Sequence, residues 1–254
     1  MLTKAILGLS LHAKLGLCAA LVFGGVVKGV LGVGLPLVLV PLMAQFLDLP
    51  VAVALLSVPM VVTNFGQAME GGGTLPALRR LAPILATLVL GTVAGVRLLV
   101  SVNRRALDFG VGASFIALSI MLFYLPRVRV GRRADRWAGP LIGLVAGILG
   151  GVTAMFGPPL IAYQIGLGVD PDTFVKHMAI LALAATATLL AALGGSGALS
   201  GLDLLVSAAA IIPIQLGIPL GRWLRGRVPP AVFRAVVLCA LAWAGFDMLR
   251  RAIL

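Results

Sequence analysis

Lys28 is the residue of this chain whose type and position ask most directly for a chemical explanation. It stands in Lys28-Gly29-Val30-Leu31-Gly32-Val33-Gly34, deep within an apolar run that begins at Leu15. A cation at that depth in a membrane is costly and defaults to a functional reading. Its ammonium can attract an anion directly. Alternatively, a break in the glycine run places it near an interface or beside a carboxylate. Downstream, Ser57, Thr63, Asn64 and Gln67 follow at helical spacings, which gives one polar face. That face can hydrogen-bond oxyanion oxygens or hold neighbouring helices together. Thr153, Tyr163, Gln164 and Gln215 are candidates of the same kind in the second half.

Two residues are candidates for ion coupling. His177 follows the turn Asp170-Pro171-Asp172, and its ordinary pKa suits a proton carrier, although the sequence favours a satisfied interfacial histidine over that role. Glu70 adjoins Gly71-Gly72-Gly73 and is the second. Asp247 is expected to pair with Arg250 and Arg251, three and four residues on. No His-x-x-x-His, Cys-x-x-Cys, Gly-x-Ser-x-Gly or Walker pattern occurs, so no enzyme constellation, cofactor or metal site is expected. Cys18 and Cys239 are isolated in apolar surroundings.

The elements that must position these groups are membrane helices. Of 254 residues, 61% are hydrophobic and 11% charged, with a mean hydropathy of +1.13. Soluble domains carry roughly 25% charged residues, so a soluble globule is excluded. Apolar runs exceed the ~20 residues that cross a bilayer, and no strand alternation appears. The net charge of +12 falls mostly in short connecting segments. This is the pattern of topogenic anchoring facing membrane lipid rather than of nucleic-acid binding. The segment from Met1 to Lys14 reads as the approach to a retained first span.

A glycine and proline cadence occurs twice. The second copy, Gly147-Ile148-Leu149-Gly150-Gly151 followed by Gly157-Pro158-Pro159, matches the first when shifted by about 118 positions, placing Gly29 on Gly147, Gly32 on Gly150 and Lys28 on Ala146. The chain therefore reads as an all-α polytopic membrane protein. It comprises a first repeat (1–126), a basic connecting loop (127–136) and a second repeat (137–254), with about eight crossings and re-entrant half-helices at the two breaks. The Lys/Arg distribution is a weak guide to orientation: four crossings per half give little bias, and five per half mildly favour inverted copies.

A broken helix leaves backbone N–H and C=O groups that hydrocarbon cannot satisfy, so each break must be buried or line a wet cavity. The start of a half-helix offers N–H donors and partial positive charge to an anion. On this ground the expected substrate-binding set is Lys28, Gly29, Gly32, Gly34, Asn64, Gln67, Gly150, Gly151, Thr153, Pro158 and Tyr163. The competing reading of the glycines is close helix packing.

The pattern Val27-Lys28-Gly29-Val30-Leu31-Gly32-Val33-Gly34 with Val40-Pro41-Leu42, its second-half partner with Tyr163, and Leu216-Gly217 to Gly221-Arg222 resemble the TauE/SafE family of membrane transporters. The resemblance spans essentially the whole chain. It implies movement of small, chiefly sulfur-containing anions such as sulfite, sulfoacetate or other organosulfonates across the bacterial inner membrane. The first copy departs from the glycine-richer form in having Leu35-Pro36 after Gly34, and the second has Val152-Thr153 after Gly151. Which anion moves, in which direction and with which ion is not legible, and a homo-oligomer is left open.

Overall fold

The computed structural model describes residues 2–31, 35–69, 74–124, 132–224, 227 and 230–253. Among them every regular element is a helix: α1 (Leu2–Leu7), α2 (Leu11–Leu31), α3 (Leu35–Met43), α4 (Leu49–Met69), α5 (Thr74–Ser101), α6 (Arg104–Tyr124), α7 (Arg132–Thr153), α8 (Gly157–Gly166), α9 (Pro171–Gly195), α10 (Gly201–Ala209), α11 (Ile211–Leu224) and α12 (Pro230–Ile253). Six stretches are long and apolar enough to cross a membrane: Leu11–Val30, Leu49–Met69, Thr74–Ser101, Asp135–Thr153, Asp172–Gly195 and Gly201–Leu224. Gly32, Gly34 and Glu70 lie outside the described residues, as do the triple glycine at 71–73 and positions 125–131 of the basic loop.

The second overlong apolar run is broken between Thr153 and Gly157, after Gly150-Gly151 rather than at it, and the first is divided around residues 32–34, which lie outside the described residues. Each yields a long helix followed by a short one, α2 then α3 and α7 then α8. At 1.5 Å per residue the 9 residues of α3 and 10 of α8 reach only about 14–15 Å, half of a hydrocarbon core. These are half-helices. The starts of α4 and α9 (Leu49, Pro171) are 122 residues apart, as 171−49. That is one helical turn more than the glycine cadence gave. A pattern of glycines repeating every four residues fits either register, and the starts of α4 and α9 separate them. At a spacing of 122, Gly150 rather than Ala146 stands opposite Lys28, and Thr186 stands opposite Asn64.

Glycines build two seams. On one, α2 crosses α11: a Cβ on Gly29 would lie 2.8 Å from the Gly221 Cα, and one on Gly25 would lie 3.1 Å from the Gly217 Cα. On the other, α7 crosses α5: a Cβ on Gly151 would lie 2.9 Å from the Gly95 Cα, and one on Gly91 would lie 3.1 Å from the Gly147 Cα. In lipid, where no hydrophobic force draws helices together, such backbone contact supplies the packing energy. Each seam joins the first helix of one half to a helix late in the other, so neither half closes on itself. Further contacts join α6 to α12 and α4 to α9. Of the six spans α4 is the most buried, 61% of its apolar window, and α4 with α9 forms the centre. Phe23, Leu90, Phe109, Ile120, Leu141 and Ile212 are exposed, as a lipid-facing rim requires.

A proline inside α4 needs outside help. Pro59 has no N–H to give the Leu55 carbonyl four residues back. Ser207 of α10 donates to that oxygen at 2.8 Å and accepts from the Val58 N–H at 3.2 Å. The hydroxyl of the second half thus mends the helix of the first.

Candidate anion site at the helix breaks

Lys28 occupies the last turn of α2 and is 7% exposed. Its ammonium donates to the Thr63 hydroxyl and to Asn64 Oδ1, each at 3.0 Å. Among the described residues these hydrogen-bond partners are neutral. The lysine is therefore buried within the protein and, among those residues, not ion-paired. Thr63 spends its own proton on the Pro59 carbonyl at 2.7 Å and so faces the lysine as an acceptor. Asn64 Nδ2 makes a long 3.5 Å contact to the Thr186 hydroxyl. An ammonium has three donors; two are accounted for by these bonds.

A small cavity of about 50 Å³ adjoins the lysine, lined by Leu35, Pro36, Met60, Asn64, Phe156, Gly157, Met178 and Thr186 among others. A volume of that size holds about three or four waters or one compact oxyanion. Leu35 and Gly157 are the first residues of α3 and α8, so two half-helices start at the cavity wall. Each adds partial positive charge there. Pro158 and Pro159 carry no N–H, leaving Gly157 and Leu160 as donors in the first turn of α8. The site is therefore built on a full charge and two dipoles more than on a cradle of amides.

The second break looks different in detail. Ala154 takes φ +59°, a left-handed conformation that stops α7, and its N–H reaches the Gly150 carbonyl at 2.6 Å. Thr153 donates to the Leu149 carbonyl at 2.7 Å and accepts from the Met155 N–H at 3.1 Å. Its hydroxyl is thus engaged in ending the helix. Gly150 lies under the Phe156 ring, whose atoms occupy the place of a Cβ; Phe156 in turn walls the cavity.

Of the expected residues, Lys28 and Asn64 meet at this cavity, with Thr63 behind them. Gly29 and Gly151 face the neighbouring helices α11 and α5. Pro158 is buried in the first turn of α8, and Gln67 is half-buried one turn beyond Asn64. Tyr163 and His177 lie elsewhere, in a second cavity of about 150 Å³ with Gln164, Arg80, Asp135 and Arg136. Tyr163 donates its hydroxyl proton to Asp135, and His177 Nδ1 lies 3.2 Å from Gln164 Oε1. A third cavity, about 430 Å³, lies at the opposite end of α9 and includes Asp48, Leu193 and Arg251. His177 and Leu193 are 16 positions apart (193−177), about 24 Å along the helix.

Thr186, Phe156 and Met178 were missed from the sequence. Thr186 sits in an alanine-rich run without polar neighbours at helical spacing, and only the 122-residue register flags it. Buried carboxylates are engaged. Asp203 accepts from the Thr3 N–H at 2.7 Å and closes a capping box with Ser200, while Asp247 pairs with Arg250 at 3.0 Å and Arg251 at 2.6 Å as expected.

The model of the family described as Sulfite exporter TauE/SafE matches residues 17–248. No curated protein and no solved structure matches this chain.

Proposed function

We propose, from the premise that this chain belongs to the TauE/SafE family of sulfite exporters, that it is a secondary carrier whose central site is the cavity beside Lys28. The family makes it a multi-pass membrane transporter of the sulfite-exporter type. Our reading is that it moves sulfur oxyanions or organosulfonates across the bacterial inner membrane by alternating access. The observation that carries it is the buried Lys28 ammonium held by neutral groups at the meeting of two helix starts. A buried cation without a counter-charge is expensive, and an anion in the adjoining cavity offsets that cost.

A trigonal or tetrahedral oxyanion takes the third ammonium donor. Asn64 Nδ2, released from its long contact with Thr186, supplies another. Charge comes from the first half and the closing wall, Phe156, from the second. Two inverted copies fit this arrangement: α4 and α9 run antiparallel, with Lys176 near the start of α9 donating to the Ala68 carbonyl near the end of α4. Counting α6 and α12 beside the six spans, and letting the half-helices α3 and α8 each return the chain, gives five passages per half, the odd number that inversion needs. Alternating access then consists of one half rocking on the other about the glycine seams, opening the cavity first to one side and then to the other.

Flux of radiolabelled sulfite in proteoliposomes tests the function. Saturable uptake is expected, with Lys28→Met losing it by at least about 10- to 100-fold, the scale of one charge-assisted hydrogen bond. Unchanged flux in Lys28→Met would sink the role of the lysine. Absent flux of sulfite and sulfonates in the wild-type protein would point to a non-transporting membrane assembly factor, and non-saturating flux to a channel.

A further inference from the structure

The cavity that holds Tyr163 and His177 belongs to no part of the central site, and its chemistry is one-sided. It lies where α5, α7 and α9 begin and α8 ends, with Arg80 from α5 and Arg136 from α7 on its wall. Asp135 is the acidic residue on that wall, and it accepts the Tyr163 hydroxyl proton. Close by, Lys176 of α9 reaches the Ala68 carbonyl, and Asp170 caps α9 through the Thr173 N–H. The remaining charge on the wall is that of two guanidinium groups.

An unfinished hydrogen bond lies in the same wall. Gln164 is fully buried, and its Oε1 faces His177 Nδ1. Its Nε2 has no acceptor among the described residues. A buried amide donor without a partner costs about 1–3 kcal/mol, so a group that accepts hydrogen bonds restores what is missing. With two arginines on the same wall, an anionic acceptor fits better than a neutral one.

We propose that this cavity is a second oxyanion site, at one mouth of the protein, using Gln164 Nε2 and the guanidiniums of Arg80 and Arg136. The inference deepens the proposed anion transport and rests on it for the identity of the ligand. Gln164 follows Gly157, on the central cavity wall, by seven residues of α8, about 10 Å of helix. His177 and Met178, adjacent on α9, line the outer and inner cavities respectively. An anion released from one site is therefore within a short step of the other. The outer cavity is about three times the volume of the inner, 150 against 50 Å³, and has room for an organic tail that the inner one in this state lacks. A lipid phosphate carries the same oxyanion chemistry and is the competing source.

Equilibrium binding of radiolabelled sulfite to the purified full chain in neutral detergent tests this. Wild type is expected to bind two per chain. Lys28→Met should bind one, and Lys28→Met with Gln164→Met none. Arg136→Ala, an exposed change that spares the packing, should weaken the outer site about 10-fold, which separates ligand binding from a folding defect. Repeating the titration with phosphatidylglycerol at constant ionic strength identifies the source: displacement of the outer sulfite makes lipid phosphate the occupant, and indifference makes it the free oxyanion. Either result keeps the site. If Lys28→Met binds no sulfite while remaining folded, or if Gln164→Met and Arg136→Ala leave its bound sulfite unchanged, the outer site is overturned. If Lys28→Met still binds two, the central reading fails and the outer one stands.

Discussion

The two helix breaks share a plan and divide the labour. In each, a long helix is followed by a half-helix, and a seam of glycines fixes the long helix to the opposite half. At the first, a lysine stands one turn before the end and is held by Thr63 and Asn64 of the next long helix. At the second, the equivalent position is Gly150, covered by Phe156, and Thr153 and Ala154 satisfy their own backbone. The two breaks are thus alike in plan and unlike in chemistry. In the proposed carrier, a lysine on both sides would repel itself, whereas one charge facing an apolar wall suits a single small anion.

The common part of the plan is the part whose loss costs most. Gly25→Leu on one seam and Gly147→Leu on the other should both be severe, since a side chain at either position collides with the backbone of the crossing helix. Overpacking of this kind costs about 1–3 kcal/mol and sometimes more. Thermal unfolding in detergent should drop by similar amounts for the two; a large drop for one alone would show that the seams are not equivalent.

Ser207 marks the next difference. It repairs α4 at Pro59, whereas α9 has Leu181 at the position 122 residues on and needs no such repair. Ser207→Ala leaves the Leu55 carbonyl and the Val58 N–H without that partner, at about 1–3 kcal/mol. Because Thr63 and Asn64 follow on the same helix, sulfite affinity should fall together with the melting temperature. A melting change with unaltered affinity would separate the helix repair from the site.

Smaller effects come from the second break and from the cap of α9. Ala154→Gly removes the strain of φ +59° on a residue with a Cβ and should stabilise by about 1 kcal/mol or less; any loss of stability would contradict that geometry. Asp170 accepts from the Thr173 N–H at 3.0 Å, and this bond holds its carboxyl below the usual range. Its contribution is accordingly present above the ordinary Asp pKa of about 3.9 and fades as pH falls toward the lower folded value. Asp170→Asn keeps a cap that does not titrate, so the acid limb of the melting curve should flatten. A limb as steep as that of wild type would assign the acid sensitivity to other carboxylates.

Much of the candidate site is legible in the sequence. Lys28 and the polar face of α4 stand out because charge and amide are rare in so apolar a chain, and the breaks stand out because glycine and proline punctuate helices. The Asp247 pairs followed from helical spacing alone. Other readings were less secure. Gly29 and Gly151 carry the same sequence signal whether they face a ligand or a neighbouring helix. Tyr163 lies six residues beyond Gly157, far enough along α8 to leave the central cavity for the outer one.

Hydropathy, charge cost and backbone breakage are properties of local chain, so a helical membrane protein with two interrupted apolar runs and one deep cation can be read from the residues alone. Tertiary structure decided which glycines are seams, that Thr186 meets Asn64, that Ser207 mends Pro59, and that Tyr163 and His177 share a cavity away from Lys28. Those outcomes depend on pairing between helices distant in the chain or facing across a loop. Periodicity along one helix names its faces but does not say which other face each will meet.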